Sequence, residues 1–174
     1  MKRRTLLLIA VAALAGVVAY VVPALGQADK NSASIYVTKI PSGYRDWKVV
    51  SVAHEAGNLN SIGVVLGNDI AIKAYRDQKL PFPDGSIIAA LHYTHSPNDE
   101  NDKIFGQKQS FTPGAPTNIQ FMIKDSKKYA STAGWGFGHF QGGKPLTDTV
   151  MLQGCFDCHA KVKSRDYVFT HYAP

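Results

Sequence analysis

Cys155 and Cys158 are the only two cysteines in the chain, and His159 follows directly. Two thiols three residues apart with an adjacent imidazole have the spacing for c-type haem attachment. The chemistry requires that spacing. Two thiols add across the two vinyl groups of one macrocycle, so they must share a turn of backbone. The next residue then directs its imidazole at the iron as the proximal ligand. Three other chemistries use the same residue types. A zinc site needs a distant fourth ligand and usually a second ligand pair, and no second cysteine pair exists. A thioredoxin-like pair expects a βαβ setting, whereas this motif lies near the C-terminus after Thr147-Asp148-Thr149-Val150-Met151-Leu152-Gln153. A disulfide suits an oxidising compartment but leaves His159 without a role. Haem attachment accounts for all three side chains.

The elements that must position this motif precede it. Met1-Lys2-Arg3-Arg4 is a positive start, Thr5 to Val22 is almost wholly apolar, and Gly26 and Ala28 are small residues placed for cleavage. Residues 1–28 therefore read as a signal peptide, or as an N-terminal membrane anchor given the length of the apolar run. Either way the remainder is exported, to the periplasm, where c-type attachment takes place. Residues 29–39 read as a polar linker and 40–174 as one domain. Without Lys2, Arg3 and Arg4 there are 16 basic residues against 13 acidic ones. That is a solvated surface, not a nucleic-acid footprint.

Within the domain, Ser42 is a candidate cap for a short helix holding Tyr44 and Trp47. Lys48–Glu55 and Ile62–Leu66 read as strands, separated by a turn at Ala56-Gly57-Asn58. Asn68-Asp69 opens a helix with apolar groups at helical spacing to Gln78. Leu80-Pro81-Phe82-Pro83 breaks it. Ser86–Thr94 is a third strand, with Ser86, Ile88, Ala90 and His92 on one face and Ile87, Ala89, Leu91 and Tyr93 on the other. His95 to Gln109 reads as a mobile surface loop, and Pro113-Gly114-Ala115-Pro116 as a break. Ile119–Lys124 and Trp135–Phe140 are further strands, with a helical turn at Asp125–Tyr129 between them. Thr147 or Asp148 caps the helix that carries the cysteines, and Asp166–Tyr172 is a last extended stretch. Strands with a few helices make an α+β domain. Small helical cytochromes c carry the motif early and supply a distal methionine. This chain has strands first and the motif late, which turns the functional reading away from a simple electron shuttle.

Tyr44-Arg45-Asp46-Trp47, Phe82-Pro83-Asp84-Gly85, Lys124-Asp125-Ser126-Lys127, Gly134-Trp135-Gly136-Phe137, Cys155–His159 and Asp166-Tyr167-Val168-Phe169-Thr170 stand in order along the chain. This ordered set resembles the cytochrome P-460 family, which includes haem enzymes that oxidise hydroxylamine and the cytochromes c′-beta that bind nitric oxide and carbon monoxide. The resemblance implies a mainly antiparallel sheet with a few helices, usually a homodimer, holding one covalent haem c. It implies a five-coordinate iron with His159 proximal and the other side open to a small diatomic ligand. In the hydroxylamine-oxidising members a lysine on the strand after the Phe-x-Asp-Gly turn is bonded to the haem. The corresponding residue here is Ala90, which makes no such bond, so the resemblance favours the c′-beta side. Ile88, Ala90 and His92 are then the candidate distal residues, and no catalytic residue is assigned. The alternatives are an oxidoreductase acting on hydroxylamine or nitric oxide, and an electron-transfer cytochrome with a redox partner protein. His54, His95, His139 and His171 read as surface or core histidines, Met151 as packing on the proximal side, and Trp47, Trp135, Phe137 and Phe140 as core or haem-packing aromatics.

Overall fold

The computed structural model describes residues 35–173. The segment read as a signal peptide or anchor, and most of the linker, lie outside the described residues. Six strands form one antiparallel sheet in chain order: β1 (Lys48–Glu55), β2 (Ser61–Gly67), β3 (Ile87–Pro97), β4 (Phe111–Lys124), β5 (Trp135–Gln141) and β6 (Lys144–Pro145). Three helices punctuate this meander. Helix α1 (Asp69–Arg76) joins β2 to β3, α2 (Asp99–Phe105) joins β3 to β4, and α3 (Thr149–His159) follows β6. The architecture is α+β, as the sequence implies.

Register assigns the two faces. Val65, Ala90, Gln120 and His139 are successive cross-strand partners, and Gly67, Ile88, Met122 and Phe137 form the next row on that same face. On this face Ile88, Met122 and Phe137 pack with Ala71 and Ala74 of α1, Phe82 and Val168, and Cys155 and Phe156 of α3 lie against them. The opposite face gathers Leu66, Ala89, Leu91, Phe121, Phe140 and Tyr129, covered by Val37, Ile40, Tyr44 and Trp47. Because both faces are covered, β3 reads as an unbroken apolar run from Ile87 to Leu91 instead of an alternation. The fully buried Phe121 contributes roughly 2–3 kcal/mol by burial.

Several boundaries differ from the sequence reading. Residues 95–109 are not a loop: β3 runs on to Pro97, and α2 follows, capped by Asn98, which accepts from the Asn101 N–H at 3.1 Å. Asp102 then accepts from the N–H groups of Gln109 and Ser110, which fastens the return. Pro113 and Pro116 lie inside β4, where the ladder shifts register and spares two positions that lack an N–H. Ser42 caps nothing. Gly43, at φ 68°, starts a 3₁₀ turn at Tyr44–Asp46 with no side-chain cap. The stretch from Asp166 forms no ladder, because Asp166 and Tyr167 are left-handed, at φ 51° and 66°. Order also begins before residue 40, since Val37 is buried and its N–H donates to the Phe137 carbonyl at 2.7 Å.

Candidate haem site

Helix α3 begins where the sequence places it. Asp148 is the cap, accepting from the N–H groups of Val150 at 2.9 Å and Met151 at 3.1 Å. Its charge also complements the helix N-terminus. Two turns on, Cys155 and Cys158 are free thiols three residues apart, one half-buried and one exposed. Burial, and then Cys158, push the Cys155 thiol up, so it stays protonated. Phe156 holds the helix to the domain, stacked on Tyr167 at 5.7 Å and tilted on Phe137 at 6.1 Å.

His159 ends the helix with its ring between Phe137, at 5.3 Å, and Phe169, at 4.9 Å. Its Nδ1 lies 2.6 Å from the carbonyl oxygen of Tyr167. A carbonyl only accepts, so Nδ1 carries the proton and Nε2 keeps its lone pair. Burial pulls the imidazole pKa below its usual value, and the Tyr167 carbonyl opposes this. The ring is thus neutral, with one nitrogen held and the other available for a metal.

The loop that supplies the Tyr167 carbonyl is tied to the sheet. Asp166 receives Lys124 Nζ at 2.8 and 3.0 Å and the Phe82 N–H at 2.8 Å. Lys124 also donates to the Ala133 carbonyl at 3.1 Å and lies 4.9 Å from the Trp135 ring centre. Both charged side chains are buried, at 7% and 9% exposure. The neighbouring motifs meet at the same place. Gly85 N–H donates to the Lys124 carbonyl at 2.8 Å, Asp125 N–H to the Gly134 carbonyl at 2.8 Å, and Ser126 to Asp84 through both N–H and Oγ. Four segments far apart in the chain therefore form one knot beside the histidine.

Ala90 is half-buried on the sheet face that α3 covers, with His92 two residues along. Ile88 shares the face but is 5% exposed and packed under α1, so it belongs to the core. His92 lies over Gly63, since a Cβ there would sit 3.7 Å from two of its ring atoms. His139 lies on the same face as Phe137, the residue against His159, and is the cross-strand partner of Gln120. Burial, followed by the charge of His92, lowers its pKa. Gln120 and Asn118 are joined at 3.2 Å beside them. The wall thus has a small floor at Gly63 and Ala90 and a polar row of His92, Gln120, Asn118 and His139. Sequence reasoning singled out Ala90 and His92 but set His139 aside and missed Gln120. The parity of β5, counted from Phe137, was the signal for His139.

Met122 is buried in the core, and Met151 is 46% exposed one turn before Cys155 on α3. A groove of about 650 Å³ lies elsewhere, between the end of α1 and residues 165–172, and includes neither cysteine nor His159. Among the described residues, no group of three or more His, Cys, Asp or Glu side chains is placed to hold a metal ion without a macrocycle.

A single-sheet α+β domain with a Cys-x-x-Cys-His helix laid across one face defines a class, the sheet-based cytochromes. The family model described as Cytochrome P460 matches residues 41–170, which is most of the chain. The chain belongs to the cytochrome P460 family, and with that family goes a haem cofactor. None of the curated proteins matches it. The residues present fit such a group: a neutral imidazole with a free Nε2 and two thiols on the same helix.

Proposed function

We propose that this chain is an exported, mono-haem c-type cytochrome whose iron takes a small diatomic ligand such as nitric oxide or carbon monoxide. Cys155 and Cys158 hold one haem through thioether bonds, and His159 Nε2 is the proximal ligand. When bound, the haem supplies an iron that coordinates diatomic gases. The protein's own part is to hold the imidazole neutral and oriented, and to leave the other side uncrowded. The single observation that carries this reading is the His159 Nδ1 contact with the Tyr167 carbonyl, which leaves Nε2 as the coordinating atom on the cysteine-bearing helix. The dimeric state implied by the resemblance and the periplasmic location implied by the N-terminal segment belong to the same reading.

Hydroxylamine oxidation is the second reading, and His92 with His139 favours it, because two neighbouring imidazoles can relay protons. Ala90 weighs against it, since a methyl group offers no nucleophile for the cross-link the enzymes carry. Electron transfer needs a strong sixth ligand; Met122 is packed in the core, which leaves His92 as the first residue to mutate should the ferrous iron prove low-spin. The test uses protein made with a haem-attachment system. The haem should survive acid-acetone extraction, and mass mapping should find it on the peptide with Cys155 and Cys158 and on no other. The ferrous form should be high-spin and bind carbon monoxide. A low-spin ferrous spectrum, or brisk hydroxylamine turnover with an added oxidant, would overturn the gas-binding reading.

A further inference from the structure

A buried ion pair is seldom the most stabilising way to fill a core, since matched apolar side chains often do as well or better. The Lys124–Asp166 pair is therefore more than filler, and its position in the chain indicates its task. Lys124 ends β4, one of the two central strands of the six-stranded sheet. Asp166 immediately precedes Tyr167, whose carbonyl meets His159 Nδ1. Both Asp166 and Tyr167 are left-handed, and two successive non-glycine residues in that region each cost about 1–2 kcal/mol. Such a turn persists only when its surroundings hold it. Asp166 is held by Lys124 and the Phe82 N–H, and Tyr167 by its stack on Phe156.

We infer that the buried Lys124–Asp166 pair is a positioning device for the iron ligand: it fixes the strained Asp166-Tyr167 turn so that the Tyr167 carbonyl points at His159 Nδ1. The inference rests on the haem reading above. The path runs from β4 through Lys124 Nζ, the Asp166 carboxylate and the Tyr167 carbonyl to the imidazole. The carbonyl that fixes the tautomer also raises the basicity of Nε2, so the device sets the strength of the iron–histidine bond. Lys124 and Asp166 act on the iron ligand only indirectly. Their effect passes entirely through the backbone of Tyr167.

The experiment compares wild type with Asp166→Asn and with the double variant Lys124→Met/Asp166→Asn. Asparagine tolerates the left-handed conformation and still accepts from the Phe82 N–H, and the double variant buries no lone charge. Resonance Raman of the ferrous, ligand-free protein reads the iron–histidine stretch, and potentiometry reads the ferric/ferrous couple. Both variants should shift the stretch to lower frequency and raise the potential, because the imidazole loses its oriented acceptor. A lower melting temperature with an unmoved stretch and potential would leave the pair a purely structural element and overturn the proposal. A second measurement needs no variant. In the diamagnetic carbon monoxide adduct of the wild type, the His159 Nδ1 proton should exchange with solvent as slowly as the sheet amides, and exchange at the rate of a frayed loop would also overturn it. Wild type without covalent haem, or low-spin when ferrous, would instead sink the functional reading on which the inference stands.

Discussion

Gly136 is the residue at which the smallest change should do the most damage. It lies in β5 between Trp135 and Phe137, with 0% and 3% exposure, which face the α3 side. Gly136 itself faces the other way, and the Tyr129 ring lies flat against it. A Cβ built there would sit 2.3, 2.5 and 2.7 Å from Cζ, Cε2 and Cε1 of that ring. These are ring atoms of a side chain only 2% exposed, so no flexible tip can swing aside. Either β5 moves off the ring or the ring leaves its site. Overpacking of this kind costs about 1–3 kcal/mol, and expelling an aromatic ring forfeits a further 1.5–3 kcal/mol or so of burial. A loss of roughly 3 kcal/mol is expected for Gly136→Ala, or about 10 °C in melting temperature for a domain of this size. The clash also reaches the site, because Phe137 is the neighbour of His159. The assay is thermal unfolding of the haem-loaded protein by circular dichroism, run as a cycle with Tyr129→Leu. Since the cost arises from the ring, Gly136→Ala in the Tyr129→Leu background should cost less than about 1 kcal/mol. A drop under 2 °C for the single variant, or additive losses in the double, would refute the reasoning.

Three other outcomes are expected. Ala90→Phe fills the floor of the facing wall and should weaken carbon monoxide binding at least tenfold, about 1.4 kcal/mol, with the ferrous spectrum unchanged before the gas is added; unaltered affinity would place the ligand elsewhere. Burial depresses the His139 pKa, so below its ordinary value of 6.5 the unfolded chain takes up a proton that the folded chain resists. Stability should therefore fall as pH drops below that value and level off beneath the folded pKa. His139→Asn should flatten that part of the denaturant-midpoint profile, and an unchanged slope would count against a partly buried neutral imidazole. Asp148→Ala removes the cap of α3 and should cost about 1 kcal/mol in chemical denaturation, while Thr147→Ala should cost nothing measurable.

Local chemistry was legible in the sequence because its partners are near in the chain. Asn68 accepts from the Ala71 N–H at 3.0 Å, as a residue before an apolar periodic run should. Asp148 does the same for α3. The inward parity of Ala90 and His92 followed from an alternation two residues long. The failures share a different cause. Residues 95–109 are polar and lack an apolar stripe, and α2 buries none of its residues, so its cap at Asn98 had no periodicity to support it. Pro113 and Pro116 read as breakers because the sequence does not show where register shifts excuse a missing donor. The Lys124–Asp166 pair spans 42 residues, and no local rule joins them. A hint was present all the same. Lys124 continues the inward parity of Gln120 and Met122 at the end of an apolar strand, and a lysine there must find an acid.

The surroundings of His159 and of Ala90 are built differently, and this contrast fits the five-coordinate iron proposed above. On the histidine side every degree of freedom is removed. Asp148 fixes the start of α3, Phe156 seats it, Phe137 and Phe169 bracket the imidazole, and the Tyr167 carbonyl sets its rotation. On the sheet side Gly63 and Ala90 keep the floor low, with His92, Gln120 and His139 beside them and Gln120 bonded to Asn118. An electron carrier needs both axial positions gripped, so that coordination survives each change of oxidation state. A ligand-binding protein needs one gripped and the other vacant. On the gas-binding reading proposed above, the buried charge pair, the strained turn and the aromatic contacts gathered around His159 serve the gripped position.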